Sequence, residues 1–169
     1  MSLYERELKG ILQGDSEVLK SVTIAYPESE RKAFYKIQKK PFIVLRAAGS
    51  FGIDLVAIRN DISFPIEVKV WKNKKFHFSN TPRLKEQIKW LKEQCKRSRV
   101  MPLYAFRLKG VRAQDPWRIF TFKLENISAK PEIYNKISKL RETKEGNYVM
   151  DWEEGLELHK LIEILSSEK

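Results

Sequence analysis

Residues 46–72, RAAGSFGIDLVAIRNDISFPIEVKVWK, decide how the rest of the chain is read. Two β-rich runs, 54–58 and 64–70, flank Arg59, Asn60 and Asp61, a turn-prone cluster of the kind that closes a hairpin. With Asn60 and Asp61 as the loop, Ile58 opposes Ser63 and, four steps along, Asp54 opposes Glu67. Side chains alternate along a strand, so Lys69 shares the face of Glu67, while Ile66, Val68 and Val70 take the other. Two carboxylates and an ammonium then meet at one spot.

Like charges directly opposed destabilise a strand pair. At about 5 Å and an effective dielectric near 20 the repulsion is roughly 3 kcal/mol. Lys69 offsets part of it. A divalent cation held by Asp54 and Glu67 offsets more and frees Lys69 to polarise a water or a phosphate oxygen. Mg²⁺ suits such a site, because it binds through one or two carboxylates and keeps waters that a substrate phosphate can replace. The chemistry implied is metal-assisted phosphodiester hydrolysis. The same three residues also fit an ordinary surface salt-bridge cluster. Glu-x-Lys recurs at Glu7–Lys9, Glu30–Lys32 and Glu142–Lys144, but only the copy at Glu67 lies in a β-type run with an aspartate opposite.

Before this hairpin, Phe42–Leu45 reads as a buried strand that delivers Arg46 to a loop containing Gly49, Ser50 and Gly52, whose backbone amides could approach a phosphate. Further back, Tyr4, Leu8, Ile11 and Leu12 make one face of a helix over 3–13, with Glu5 at its margin. Glu5 is either a solvated first-turn acid favoured by the helix dipole or a group reaching into the site. Residues 15–40 read as an inserted helical segment with Ser29 as a cap and Pro41 as a stop.

After the hairpin, Lys72, Lys74 and Lys75 alternate with Trp71, Phe76 and Phe78, a mixture suited to phosphate contact, although the aromatics fit a core equally well. Thr81 caps a helix with Pro82 in its first turn, and Leu84, Ile88, Leu91 and Cys95 keep helical spacing, which makes Cys95 a buried packing residue. From Arg83 to Arg99 there are seven Lys or Arg and two Glu, a candidate surface for nucleic-acid backbone or simply a solvated face, with Gln87 among them. Residues 101–108 and 117–123 read as further strands. A short helix around 131–141 follows, then a final helix opened by Asp151 and Glu154 that carries Leu158, Leu161, Ile162 and Leu165 on one side.

The 169 residues suffice for one domain with a sizeable core. The order of elements fits an α/β or α+β fold, a central sheet flanked by helices, with the nuclease site in a domain over 1–124 and a helical C-terminal extension over 125–169. The net charge of +11 points to a polyanionic partner. The final 20 residues carry six acids and two lysines, so the body is more basic than the average. A single cysteine and two distant histidines exclude an intrachain disulfide and argue against structural zinc. No apolar run approaches a membrane span, so a soluble, cytoplasmic protein is expected.

Taken together, the segments 4–8 (YEREL), 46–50 (RAAGS), 54–57 (DLVA) and 67–69 (EVK) resemble the archaeal Holliday-junction resolvases, a branch of the restriction-endonuclease-like nucleases, over 3–13 and about 42–123. The resemblance implies a Mg²⁺-dependent endonuclease, with Mn²⁺ able to substitute, that acts as a homodimer on four-way or otherwise branched DNA. On that basis Glu5, Asp54 and Glu67 would hold the metal and Lys69 would be the catalytic lysine. Arg6 and Arg46 would contact phosphate, and Ser50 would lie near the scissile strand. Lys72, Lys74, Lys75 and Arg83 extend the DNA-binding set. The insertion at 15–40 and the C-terminal extension depart from the family pattern, leaving open a nuclease of the same superfamily for flaps, single strands or mismatches. A non-catalytic DNA-binding scaffold is also left open.

Overall fold

The computed structural model describes residues 1–49, 51–125, 127 and 130–167. Its centre is a mixed sheet in the order β1 (Ile43–Arg46), β2 (Leu55–Ile58), β3 (Ser63–Trp71), β5 (Leu103–Leu108), β6 (Trp117–Thr121) and β10 (Leu156–Glu157), with β7 (Ser138–Lys139) pairing on β6. β4 (Lys75–His77), β9 (Tyr148–Asp151) and β8 (Arg141–Glu142) form a second, three-stranded sheet. The hairpin has the expected register: Ile58 opposes Ser63 and Leu55 opposes Ile66, closed by Arg59 N–H donating to the Ile62 carbonyl at 3.1 Å. β3 and β5 are parallel, so the chain between them must cross over, and α4 (Pro82–Ser98) is part of that connection.

The two faces of the sheet are covered differently. On one, Leu55, Ala57, Phe64, Ile66 and Ala105 pack under α1 (Leu3–Leu12), α2 (Ser16–Thr23), α3 (Glu28–Tyr35) and α6 (Leu158–Ser166). On the other, Tyr104, Phe106 and Phe120 pack with Phe76, Met150 and the Ile88–Leu91–Cys95 stripe of α4. The capping expected at Thr81 is present, its hydroxyl accepting from Leu84 N–H at 3.1 Å. Phe76 and Phe78 are core residues, as is Cys95, whose burial pushes the thiol up to about 12.

Several local expectations shift. Pro27, extended at ψ 147°, is the last residue before α3, so Ser29 lies inside the helix and is not its cap. Asp151 does cap, accepting from Glu153 N–H at 3.1 Å, but only a 3₁₀ turn (Trp152–Glu154) follows. Gly155 then passes against Arg118 and Phe120, where a Cβ would come within 2.5–2.8 Å, and α6 begins only at Leu158. The helix expected around 131–141 is α5 (Pro131–Lys136), shortened because Ser138 and Lys139 pair with Phe120 and Thr121. The C-terminal helix is thus joined to the sheet by strands of its own segment. Among the described residues no helix is long and apolar enough to cross a membrane.

Candidate active site

Asp54 sits one residue before β2, and its N–H donates to the Ile66 carbonyl at 2.9 Å, one step off the Leu55–Ile66 pairing. The regular ladder therefore ends at Leu55, and Asp54 is left beside Glu67 and not directly opposite it as the register alone predicts. Its Oδ2 accepts from Val68 N–H at 2.7 Å, fixing the carboxylate against β3. Glu67 is 6% exposed. Its Oε1 accepts from Lys69 Nζ at 2.6 Å, while its Oε2 is buried without a hydrogen-bond partner among the described residues. Burial raises both carboxyl pKa values. For Glu67 the Lys69 ammonium opposes the rise and the Asp54 charge adds to it; for Asp54 the Val68 amide opposes it and the Glu5 charge adds to it. A buried oxygen with no donor, flanked by a second carboxylate, fits a proton or a cation and disfavours the bare dianion.

Glu5 is near enough to act on Asp54 electrostatically, yet its carboxylate closes a capping box: Oε2 accepts from Ser2 N–H at 3.3 Å and Ser2 Oγ accepts from Glu5 N–H at 3.2 Å. The helix dipole and the cap therefore both act on this residue. α1 is anchored by a group with no motif around it. Arg107 on β5 donates from Nε to Glu7 at 2.8 Å and stacks 4.5 Å over the Tyr4 ring, tying the first turn of α1, and with it Glu5, to the sheet.

The proposed DNA-contacting residues are dispersed. Arg46 is exposed at the end of β1, Lys72 and Lys75 are exposed around β4, and Arg6 donates to the Met1 carbonyl at 3.2 Å. Lys74 is paired with Glu153 at 2.5 Å in an exposed ion pair, so part of its charge is already offset at the surface. Ser50 lies outside the described residues. The loop before Asp54 leans on α4, with Gly52 at φ +78° and the Gln87 carbonyl 3.3 Å from where a Cβ would stand. Phe51 packs edge-on against Trp90 at 5.9 Å, and the Arg83 guanidinium lies 5.5 Å over Phe51. This aromatic pair escapes sequence reading because the loop and the helix meet only in the fold.

Among the described residues, three potential ligands fall within 4.8 Å of one another at one place, Glu30, Glu157 and His159, near the β10 edge of the sheet. His159 Nδ1 and Asp115 Oδ2 are 2.9 Å apart there, and Arg118, whose Nη1 donates to the Asp115 and Trp117 carbonyls, adds a fixed positive charge. Among the described residues none of that cluster's carboxylate oxygens is both buried and without a partner.

The family model of the archaeal Holliday junction resolvases (Hjc) matches residues 27–169. The chain belongs to that family. The match begins after α1 and α2 and runs through the C-terminal segment, so α3 and the strands and helix after Lys130 lie within the matched region, whereas Glu5 and Arg6 precede it. Among solved structures, that of Hjc from Archaeoglobus fulgidus, a Holliday junction resolvase from an archaeal hyperthermophile, is 21% identical with a TM-score of 0.49, covering 84% of this chain and 95% of that one. No curated protein matches the chain.

Proposed function

We propose that the chain is a metal-dependent endonuclease of the resolvase type, hydrolysing phosphodiester bonds in four-way or otherwise branched DNA. The observation that carries this reading is the Asp54–Glu67–Lys69 constellation, with its orphaned Glu67 oxygen, on a chain of this family. Asp54 and Glu67 would hold Mg²⁺, with Glu5 as a third carboxylate if the capping box opens, and Mn²⁺ able to substitute. The bound ion supplies Lewis-acid stabilisation of negative charge on the scissile phosphate. Lys69, held by Glu67, donates to the phosphoryl oxygen that gains charge as water attacks phosphorus and the bond to the departing strand end breaks. Basic side chains position the duplex without reading sequence.

The test is cleavage of a four-way junction, a flap and a linear duplex of equal length, with Mg²⁺ and with chelator. Metal-dependent nicks confined to the junction are expected. Cutting of the flap or the duplex would move the substrate and keep the site, and binding without cutting under every metal condition would overturn the reading.

We also propose a homodimer. Edge strand β1 exposes Ile43 (65%) and Leu45 (53%), and Ile58 (39%), directly across from Ile43, extends the patch on β2. An open sheet edge bearing branched aliphatics invites pairing, and a second copy of this chain is the partner that also supplies a second site for the opposed strand. Leu45→Glu is expected to convert a dimer to a monomer in sedimentation experiments. A wild-type chain that is monomeric at high micromolar concentration would end this proposal.

A further inference from the structure

α4 carries two different flanks. At about 100° per residue, Arg83, Gln87 and Trp90 lie on the side that meets the loop before Asp54, as the contacts of Gly52 and Phe51 with this helix show. The opposite flank holds Lys85, Lys89, Lys92 and Lys96, at intervals of four, three and four residues, and Arg99, the left-handed residue just past the end of the helix, lines the same cleft as the last two. The acids of the helix, Glu86 and Glu93, fall outside that row, on the side away from the core. From Lys85 to Lys96 the row covers about 17 Å of helix, the length of roughly five base-pair steps of a duplex.

Tertiary structure adds to the row. Lys92, Lys96, Arg99 and Lys123, the last from beyond β6, line one cleft of about 350 Å³, in which Glu125 is the one acid among the described residues and forms no ion pair with them. Lys85 and Lys89 line another of about 110 Å³ against the turn at Glu145–Asn147, with Glu145 the one acid there among the described residues and in no ion pair with them. Lys92 is held in place by neutral groups: Nζ donates to the Tyr148 hydroxyl at 2.6 Å and lies over the Tyr148 and Phe122 rings. Among the described residues none of these six cations forms an ion pair, while carboxylates elsewhere are matched with Lys32, Lys36, Lys40, Arg59, Lys74 and Arg107. Unneutralised cations converging from two elements raise one another's cost and lower the cost of an anion placed among them.

We infer that this flank of α4, with Lys123, is a binding track for a nucleic-acid phosphate backbone, engaging a DNA arm away from the scissile phosphate. The inference rests on the resolvase reading for the identity of the polyanion and adds to it a second contact surface, separated from the cleavage site by the width of the helix. Its geometry is linear and its groups are point charges, so it follows a backbone and carries no base readout.

The experiment uses the full chain and its Lys89→Gln/Lys96→Gln/Lys123→Gln variant, all three positions being exposed. Binding to a four-way junction with long arms is measured by fluorescence anisotropy across salt concentrations, with Lys20→Gln/Lys32→Gln as the control. The track predicts that the slope of log affinity against log salt falls by about two to three, near 0.9 per lost phosphate contact, with at least a tenfold weaker complex at low salt. The control should leave both unchanged. A second variant, Lys85→Gln/Lys89→Gln, should give a smaller fall in the same direction. An unchanged slope in both variants, or an equal fall in the control, overturns the track. Wild-type protein that binds junctions with the expected slope but never cuts them defeats the nuclease reading and leaves the track standing.

Discussion

Glu67→Gln is expected to lower junction cleavage by about 10²–10³-fold and, in the absence of added metal, to raise the melting temperature. The loss of activity follows from removing a charge whose role is to hold the ion and orient Lys69: several kcal/mol of transition-state stabilisation are at stake, and each 1.36 kcal/mol is tenfold in rate. The gain in stability follows from the raised pKa of Glu67, caused first by burial and then by Asp54 against the pull of Lys69. A carboxyl with a raised folded pKa is more costly as an anion in the fold than in the unfolded chain, so its ionised form weakens the fold at neutral pH and protonation restores it. Glutamine keeps an acceptor for Lys69 and removes the charge. A gain of about 1 kcal/mol, or about 2–4 °C in a chain of this size, is the expected scale. Scanning calorimetry of both proteins with chelator reads it directly. Mg²⁺ should stabilise the wild type and have little effect on the variant. A variant that melts lower than wild type under chelator would show that the Lys69–Glu67 pair dominates and that the two carboxylates do not strain the site.

How much of this is legible in sequence depends on how local each feature is. The hairpin register from Leu55 to Ile66 and the Lys69–Glu67 contact follow from two loop residues and the alternation of the strands, whereas the one-residue shift that sets Asp54 beside Glu67 is a backbone adjustment that alternation does not encode. Thr81 and Pro82 mark the start of α4 for the same reason: a cap is a property of neighbouring residues. Glu5 is ambiguous because a capping box and an active-site acid look alike in one dimension, and the fold satisfies the first while keeping Glu5 in electrostatic range of Asp54. Arg59 illustrates the opposite limit. It reads as a turn residue, yet it is 8% exposed, forks onto Asp61, and donates to the Lys40 and Leu165 carbonyls, pinning the hairpin turn to the last turn of α6. Its partners come from remote segments, and no periodicity announces them. Arg107 and Glu7, a hundred positions apart, are hidden for the same reason. The short strands after Lys136 read as helix or turn because two-residue pairings on a sheet edge carry almost no pattern of their own.

Asp115→Ala is expected to cost about 3–5 kcal/mol of stability, with the larger loss on the acid side of neutrality. Asp115 is 1% exposed. Its Oδ1 accepts from Trp117 N–H at 2.9 Å, and its Oδ2 accepts from the His159 backbone N–H and ring Nδ1, each at 2.9 Å, so one carboxylate ties the loop before β6 to the first turn of α6. With Nδ1–H directed at Asp115, ring Nε2 faces Glu157 Oε2 at 3.1 Å, and a hydrogen bond there requires a second proton on the ring. Burial is the largest single influence on His159 and pushes its pKa down. The Asp115 hydrogen bond and charge, followed by Glu157 and Glu30, outweigh it, and the net shift from 6.5 is upward. Arg118 and Lys160 also face this cluster. A histidine with a raised folded pKa contributes stability that is complete below about 6.5 and is lost as pH climbs through the folded value. Removing Asp115 leaves an imidazolium without its main partner and two backbone amides without acceptors, which sets the scale of the loss. Urea unfolding at pH 6.0 and 8.5 should show the wild type losing part of this contribution at the higher pH, with the variant's deficit shrinking accordingly. Asp115→Asn, which keeps one of the two acceptor oxygens and removes the charge, should be less damaging than the alanine change and should flatten the pH dependence. If Asp115→Asn instead keeps the wild-type dependence on pH, His159 is neutral throughout and the cluster is held by hydrogen bonds alone.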